Sequence, residues 1–112
     1  MESIIEIPTD KEFNAHHEKC FNELPKDILH KAIQIFNDDT NFNERKFLIN
    51  LYNIAPIDTK ALWFIPYHSY EGMVIRNKFR RSGLLDEMLP SGNWDDYYVQ
   101  VMECAIGVRE YE

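Results

Sequence analysis

Trp94, Tyr97, Tyr98, Val101, Met102, Ala105 and Val108 recur at helical spacing, the strongest periodic signal in the chain. On a helix they fall within one broad apolar face about four turns long. A face that large and aromatic has to be covered by other elements, so it constrains the rest of the chain to supply matching apolar surface. Asn93 reads as the cap of this closing helix, and Asp95 and Asp96 fall in its first turn, where the helix dipole favours anions.

The matching surfaces are also helical. Thr9-Asp10-Lys11-Glu12 fits a capping box, with Phe13, His17, Cys20, Phe21 and Leu24 on one face behind it. Pro25 opens a second helix, where its missing N–H is no loss, with Ile28, Leu29, Ala32, Ile33 and Phe36 as the stripe. After the polar break at residues 37–41, a third helix starts near Asn43, turns Phe47, Leu48, Leu51 and Ile54 inward, and ends before Pro56. Asp58 and Thr59 are placed to cap a short turn. Ser69 is expected to cap a fourth helix over about residues 70–81, and Gly83 breaks it. Tyr70, Met73 and Val74 form one stripe there, and Ile75 and Phe79 lie opposite. That pattern predicts a central, buried helix in which Asn77 bonds a loop backbone or another helix.

Residues 61–66 stay open between helix and strand. Ala61-Leu62-Trp63-Phe64-Ile65 is too short an apolar run for periodicity to decide, and Pro66 closes it. As a strand, residues 61–65 would pair with residues 3–7 in a minor two-stranded β ribbon. The expected architecture is all-α: one helical domain over residues 1–112, folded as a compact bundle of about five helices with short antiparallel connections.

Charge limits the function classes. Nineteen acidic and twelve basic residues give a net charge of −7. Nucleic-acid binding draws on an excess of Lys and Arg, so that class is not expected. The balance serves solubility, and it also suits a partner with a basic surface. No stretch approaches the roughly 18 apolar residues that span a membrane, and Met1-Glu2-Ser3-Ile4-Ile5-Glu6 does not read as a signal peptide. A cytoplasmic setting follows, with Cys20 and Cys104 as free thiols rather than a disulfide.

Catalytic and metal chemistry find little support. His16 and Cys20 are one helical turn apart, but no second pair stands at ligand spacing, so no metal and no cofactor are expected. His17 lies between Phe13 and Phe21 and reads as a hydrogen-bonded core histidine. Cys104 reads as a small packing residue. No nucleophile elbow, zinc-protease signature or phosphate loop is present, and no catalytic residue is assigned.

The fourth helix is the unusual segment. Arg76, Lys78, Arg80 and Arg81 put four of the twelve basic residues within six positions. Arg76 and Arg80 share a face and are spaced to clamp a phosphate or carboxylate. The plainer account is that these cations offset the helix dipole and pair with acids such as Asp86 and Glu87.

Gly72-Met73-Val74-Ile75-Arg76-Asn77, followed by Phe79, resembles a family of small uncharacterised bacterial proteins. Those carry a Gly-Met-x-Ile-Arg-Asn core near mid-chain and a later Asp pair that opens the closing helix. Asp95-Asp96, followed by Tyr97 and Tyr98, stand where that pair would, so the resemblance covers residues 69–106. This chain departs from it in having Lys78 where those proteins have another polar residue, and no Pro directly before Asp95. The resemblance implies one polar network of Arg76, Asn77, Asp95 and Asp96 between two helices, and it brings no activity.

Three function classes remain. The first is a small acidic protein-interaction module of bacterial or phage type, acting as an inhibitor, an immunity factor or an anti-defence protein. Trp63, Tyr67, Tyr70, Trp94 and Tyr97 are its candidate anchors. The second is a small-ligand or anion-binding domain built on the basic fourth helix. For these two the candidate residues are Arg76, Asn77, Arg80, Arg81, Trp94, Asp95 and Asp96. The third is a small enzyme, which needs His16, His17, His68 or a carboxylate pair to converge in a cleft.

Overall fold

A computed structural model describes the backbone of residues 10–112, and all of their side chains except those of Asp10, Asp58, Thr59 and Ser69. The Thr9 cap and the residues 3–7 of the expected ribbon lie outside the described residues, as do the side-chain caps at Asp58, Thr59 and Ser69.

The described residues form an all-α bundle with no strand. Its helices are α1 (Asp10–Glu23), α2 (Lys26–Asp39), α3 (Phe42–Ile54), α4 (Ile65–Tyr67), α5 (Met73–Arg81) and α6 (Tyr98–Ala105). A 3-10 segment, Ile57–Leu62, follows α3, and a π-helical turn, His68–Gly72, joins α4 to α5 in one continuous rod. Residues 61–66 are therefore helical. Pro56 precedes the 3-10 segment with extended backbone, and Pro66 sits in the first turn of α4, where proline is tolerated, so it opens a helix instead of ending a run. The rod begins at Ile65, which puts the backbone of Ser69 inside it rather than at its start.

The helix ends follow local chemistry. Asn41 caps α3 by accepting from Glu44 N–H at 2.9 Å. Asn93 accepts from Asp95 N–H at 2.9 Å, but it caps a short 3-10 turn, Trp94–Asp96, and α6 proper starts at Tyr98. Gly83 ends α5 at φ 94°, with Leu84 N–H on Phe79 O and Gly83 N–H on Arg80 O. Gly107 ends α6 in the same way at φ 87°. Only glycine adopts that backbone without strain.

The core centres on α6, which packs chiefly against α2. Every residue from Tyr98 to Cys104 is buried, Gln100 and Glu103 included. The broad face foreseen for this helix is in fact a helix enclosed on all sides. The rod was expected in that central place, and it lies at the surface instead. Ile75, Arg76 and Phe79 turn inward while Tyr70, Met73 and Val74 face solvent. The third helix also departs from expectation: Leu48 is buried, but Phe47 and Ile54 point outward. Leu48 is the fully buried residue of α3, and Ile49, Leu51 and Tyr52 pack partly buried beside it, so Leu51 turns inward as expected. Cys20 and Cys104 are free, buried thiols. No helix of the described residues is long and apolar enough to cross a membrane.

Candidate functional site

The deepest polar cluster lies where α6 meets α1 and the 3-10 segment. Glu103 accepts from Trp63 Nε1 at 2.8 Å, from Arg109 Nε at 2.7 Å, and faces His17 Nε2 with both oxygens at 3.0 and 3.1 Å. Arg109 also reaches Glu18 at 2.5 Å and lies over the Phe21 ring. Burial works against the charged Glu103, yet His17 and then Arg109 outweigh it and hold the carboxyl below its ordinary value. Each Glu103 oxygen already carries two contacts, so the carboxylate is saturated from within the chain, although a cleft of about 250 Å³ lined by His17, Glu18, Lys60 and Arg109 opens beside it. His17 is the hydrogen-bonded core histidine that its apolar neighbours suggested.

The basic segment of the rod is also engaged. Arg76 is nine-tenths buried, pairs with Asp95 at 2.8 Å through Nε, and lays its guanidinium on the Tyr98 ring at 4.8 Å. Arg80 forks onto Asp86, with Nε to Oδ1 at 2.5 Å and Nη2 to Oδ2 at 3.1 Å, and its Nη1 donates to Asn77 at 2.7 Å. The Arg80 bond, against the pull of burial, keeps the Asp86 carboxyl below its ordinary value. Lys78 pairs with Asp39. Arg81 is exposed and has no ion pair among the described residues.

The implied network of four residues therefore divides. Arg76 joins Asp95. Asn77 bonds Arg80 on its own helix, instead of a loop backbone or a second helix. Asp96 accepts from Ser91 Oγ at 2.6 Å and stands 3.8 Å from His16 Nε2. Trp94 is fully buried, stacked near Phe79 with its Nε1 donating to Leu84 O at 2.9 Å. Of the candidate anchors only Tyr70 is exposed. Both spaced guanidiniums are engaged by carboxylates, which leaves no open two-arginine clamp, though the buried Nη1 of Arg76 has no hydrogen-bond partner among the described residues.

Nucleophilic chemistry has no support in the thiols. Burial first, then Asp96 and Glu23, pushes the Cys20 thiol up to about 11. Burial pushes Cys104 up to about 12. A thiol held that high is protonated and inert at neutral pH. His30 bonds the backbone of Glu112 and His68 bonds Tyr98 Oη, whereas His16 and His17 line one cleft of about 240 Å³ with Asp95 and Asp96, and His16 Nε2 stands 3.5 Å from Cys20 Sγ. Among the described residues no three His, Cys, Asp or Glu side chains gather as metal ligands do.

The outer side of α3 is different in kind. Phe42 is 76% exposed, Phe47 56% and Ile54 78%, and Ile57, Ile65 and Tyr70 of the segments that follow also face solvent. Between α3 and the rod runs a groove of about 300 Å³ lined by Asn43, Glu44, Phe47, Tyr67 and Glu71. Tyr67 is buried at its floor, and burial first, then Glu44 and Glu71, pushes the phenol up to about 12. The two carboxylates thus both act on the groove floor. Neither forms an ion pair among the described residues.

The sequence reading missed both Glu103 and this groove. For Glu103 there was a signal: Gln100 and Glu103 are the only polar residues in an otherwise apolar run from Tyr98 to Ile106, which calls for buried, paired side chains. For the groove, α3 carries Phe42, Phe47, Leu48, Ile49, Leu51, Tyr52 and Ile54, more apolar surface than one helix face can bury. No family model, curated protein or solved structure matches this chain.

Proposed function

We propose that the chain is a protein-interaction module whose docking face is the outer side of α3 and the adjoining rod. The observation that carries this reading is the exposure of Phe42, Phe47 and Ile54 on a helix that buries only Leu48. Phe47 and Ile54, seven positions apart, share one side of α3, and large apolar side chains left exposed together are a mark of interaction surfaces. The other candidate chemistry supports the same reading by being largely occupied: Arg76 and Arg80 are paired with carboxylates, and the thiols are buried. An inhibitor, immunity or anti-defence role fits such a binder, which acts by covering a partner and needs no reaction of its own.

The test is partner recovery from the native cell with three forms of the full chain. The unaltered chain and a Lys31→Asp variant on the outward face of α2 are expected to retain a stoichiometric partner. A Phe47→Asp/Ile54→Asp variant with an unchanged melting curve is expected to lose it. Loss with the Lys31 variant alone moves the face elsewhere. Absence of any stoichiometric partner overturns the reading.

A further inference from the structure

Two carboxylates flank an apolar groove and have no cationic partner among the described residues. Most acids that lie near a base in this chain are paired: Asp39 with Lys78, Asp86 with Arg80, Asp95 with Arg76, Glu18 and Glu103 with Arg109, and Glu112 with Lys26. Glu44 and Glu71 are among the acids without an ion pair among the described residues, and they are brought together at one groove. They line a groove whose other walls are Phe47, Tyr67 and Asn43, with no basic residue among them. Two like charges facing one cleft repel each other, and a cation brought from outside relieves that repulsion. The groove runs between two helices and holds about 300 Å³, the lower limit of small-ligand pockets and suited to an anchoring side chain.

We infer that the partner presents a basic amphipathic helix, which sets a large apolar side chain into the groove between Phe47 and Tyr67 and places Lys or Arg against Glu44 and Glu71. This rests on the docking face proposed above and adds the chemistry of what covers it. In helix-in-groove binding the inserted helix supplies apolar anchors, and the exposed Phe47 at the groove and Ile54 two turns further along the same side of α3 offer them apolar surface. A second copy of this chain is the poorer occupant. Each copy carries a net charge of −7, and of the basic side chains of the rod Arg76, Lys78 and Arg80 are already held by Asp95, Asp39 and Asp86, which leaves Arg81 alone to answer two carboxylates. Rim charges of this kind act mainly on encounter, so binding weakens as salt rises.

The experiment titrates three synthetic helices into the full-length chain, read by fluorescence anisotropy and by amide shifts. One has a Leu stripe flanked by Lys, one has the same stripe flanked by Glu, and one has the Lys flanks with Ser in place of Leu. The basic amphipathic helix is expected to bind and shift the amides of Phe47 and Tyr67. The acidic helix is expected to bind about ten-fold more weakly, the combined effect of two rim ion pairs. The Ser helix is expected not to bind. A Glu44→Lys/Glu71→Lys chain is expected to reverse the preference between the charged helices.

Equal affinity for the two charged helices, with the shifts still at Phe47 and Tyr67, keeps the docking face and overturns the partner chemistry. No binding by any helix also overturns that chemistry, while the Phe47→Asp/Ile54→Asp recovery experiment separately decides whether the face stands. Dimerisation in sedimentation that is lost in that double variant overturns it in favour of a second copy.

Discussion

Replacing Glu103 by Gln removes one buried charge and turns one acceptor oxygen into a donor. The oxygens now receive Trp63, Arg109 and His17, so whichever side the new amide takes, one N–H of these neighbours meets another N–H. An unpaired buried group costs about 1–3 kcal/mol. Breaking one side of a buried ion pair costs about 3–5 kcal/mol, and here Arg109 keeps Glu18 as partial compensation. The two effects overlap, which gives a loss of about 3 kcal/mol. A chain of 112 residues has a total stability of about 6–17 kcal/mol at the usual ~0.05–0.15 kcal/mol per residue. The variant should therefore fold, with a melting temperature lower by roughly 12–18 °C.

The pH dependence carries the sign. The Glu103 carboxyl is held below its ordinary value of 4.5 in the folded chain, so the unfolded chain takes up its proton first as pH falls. The stability it contributes is fully present above about pH 5 and is lost as pH drops through 4.5 toward the native value. Urea unfolding followed by circular dichroism, run from pH 7 to pH 3, should show the gap between the native chain and the Gln variant at its widest above pH 5 and narrowing below. A gap under about 1 kcal/mol at pH 7, or one that stays constant down to pH 3, refutes the idea that this carboxylate is charged and holds α1, α6 and the 3-10 segment together.

Two other substitutions or probes test the packing. A Cβ at position 72 would stand 2.8 Å from Tyr98 Oη and 3.1 Å from Arg76 Nη1, so Gly72→Ala should lose about 1–3 kcal/mol in urea unfolding despite the better helix propensity of alanine; a gain in stability contradicts the close approach. Cys20 and Cys104, pushed up to about 11 and about 12 by burial, should react with a disulfide reagent at pH 8 at least about 100-fold more slowly in the folded chain than in urea; two fast thiols in the native protein contradict their burial.

What the sequence made legible was governed by local rules. Helical spacing located α1 and α2, Pro25 and Pro56 marked boundaries, and Gly83 and Asn93 marked the turns they occupy. Which helix sits at the centre was not local. The rod and α6 both carry apolar residues on more than one side, and only the three-dimensional arrangement encloses α6 and leaves Tyr70, Met73 and Val74 outside. Pro66 looked like a stop because proline rarely continues a helix, but the same ring is equally at home in a first turn. The pairing of the basic run with Asp86 was legible from proximity in sequence, and the resemblance implied Arg76 beside Asp95, but spacing could not tell that Asn77 and Asp96 would turn to other partners. The α3 groove was hidden because periodicity identifies an apolar residue without saying whether any neighbour covers it.

The central claim is that Phe47 serves binding while its neighbour Leu48 serves folding. Unfolding free energies of Phe47→Ala and Leu48→Ala, measured side by side in urea, test it most directly. Leu48 is fully buried, so its truncation should cost about 2–5 kcal/mol, while Phe47, 56% exposed, should cost under about 0.5 kcal/mol. Equal and large losses at both positions would mean that the outer side of α3 is already covered within the chain, and the docking face would fall with it.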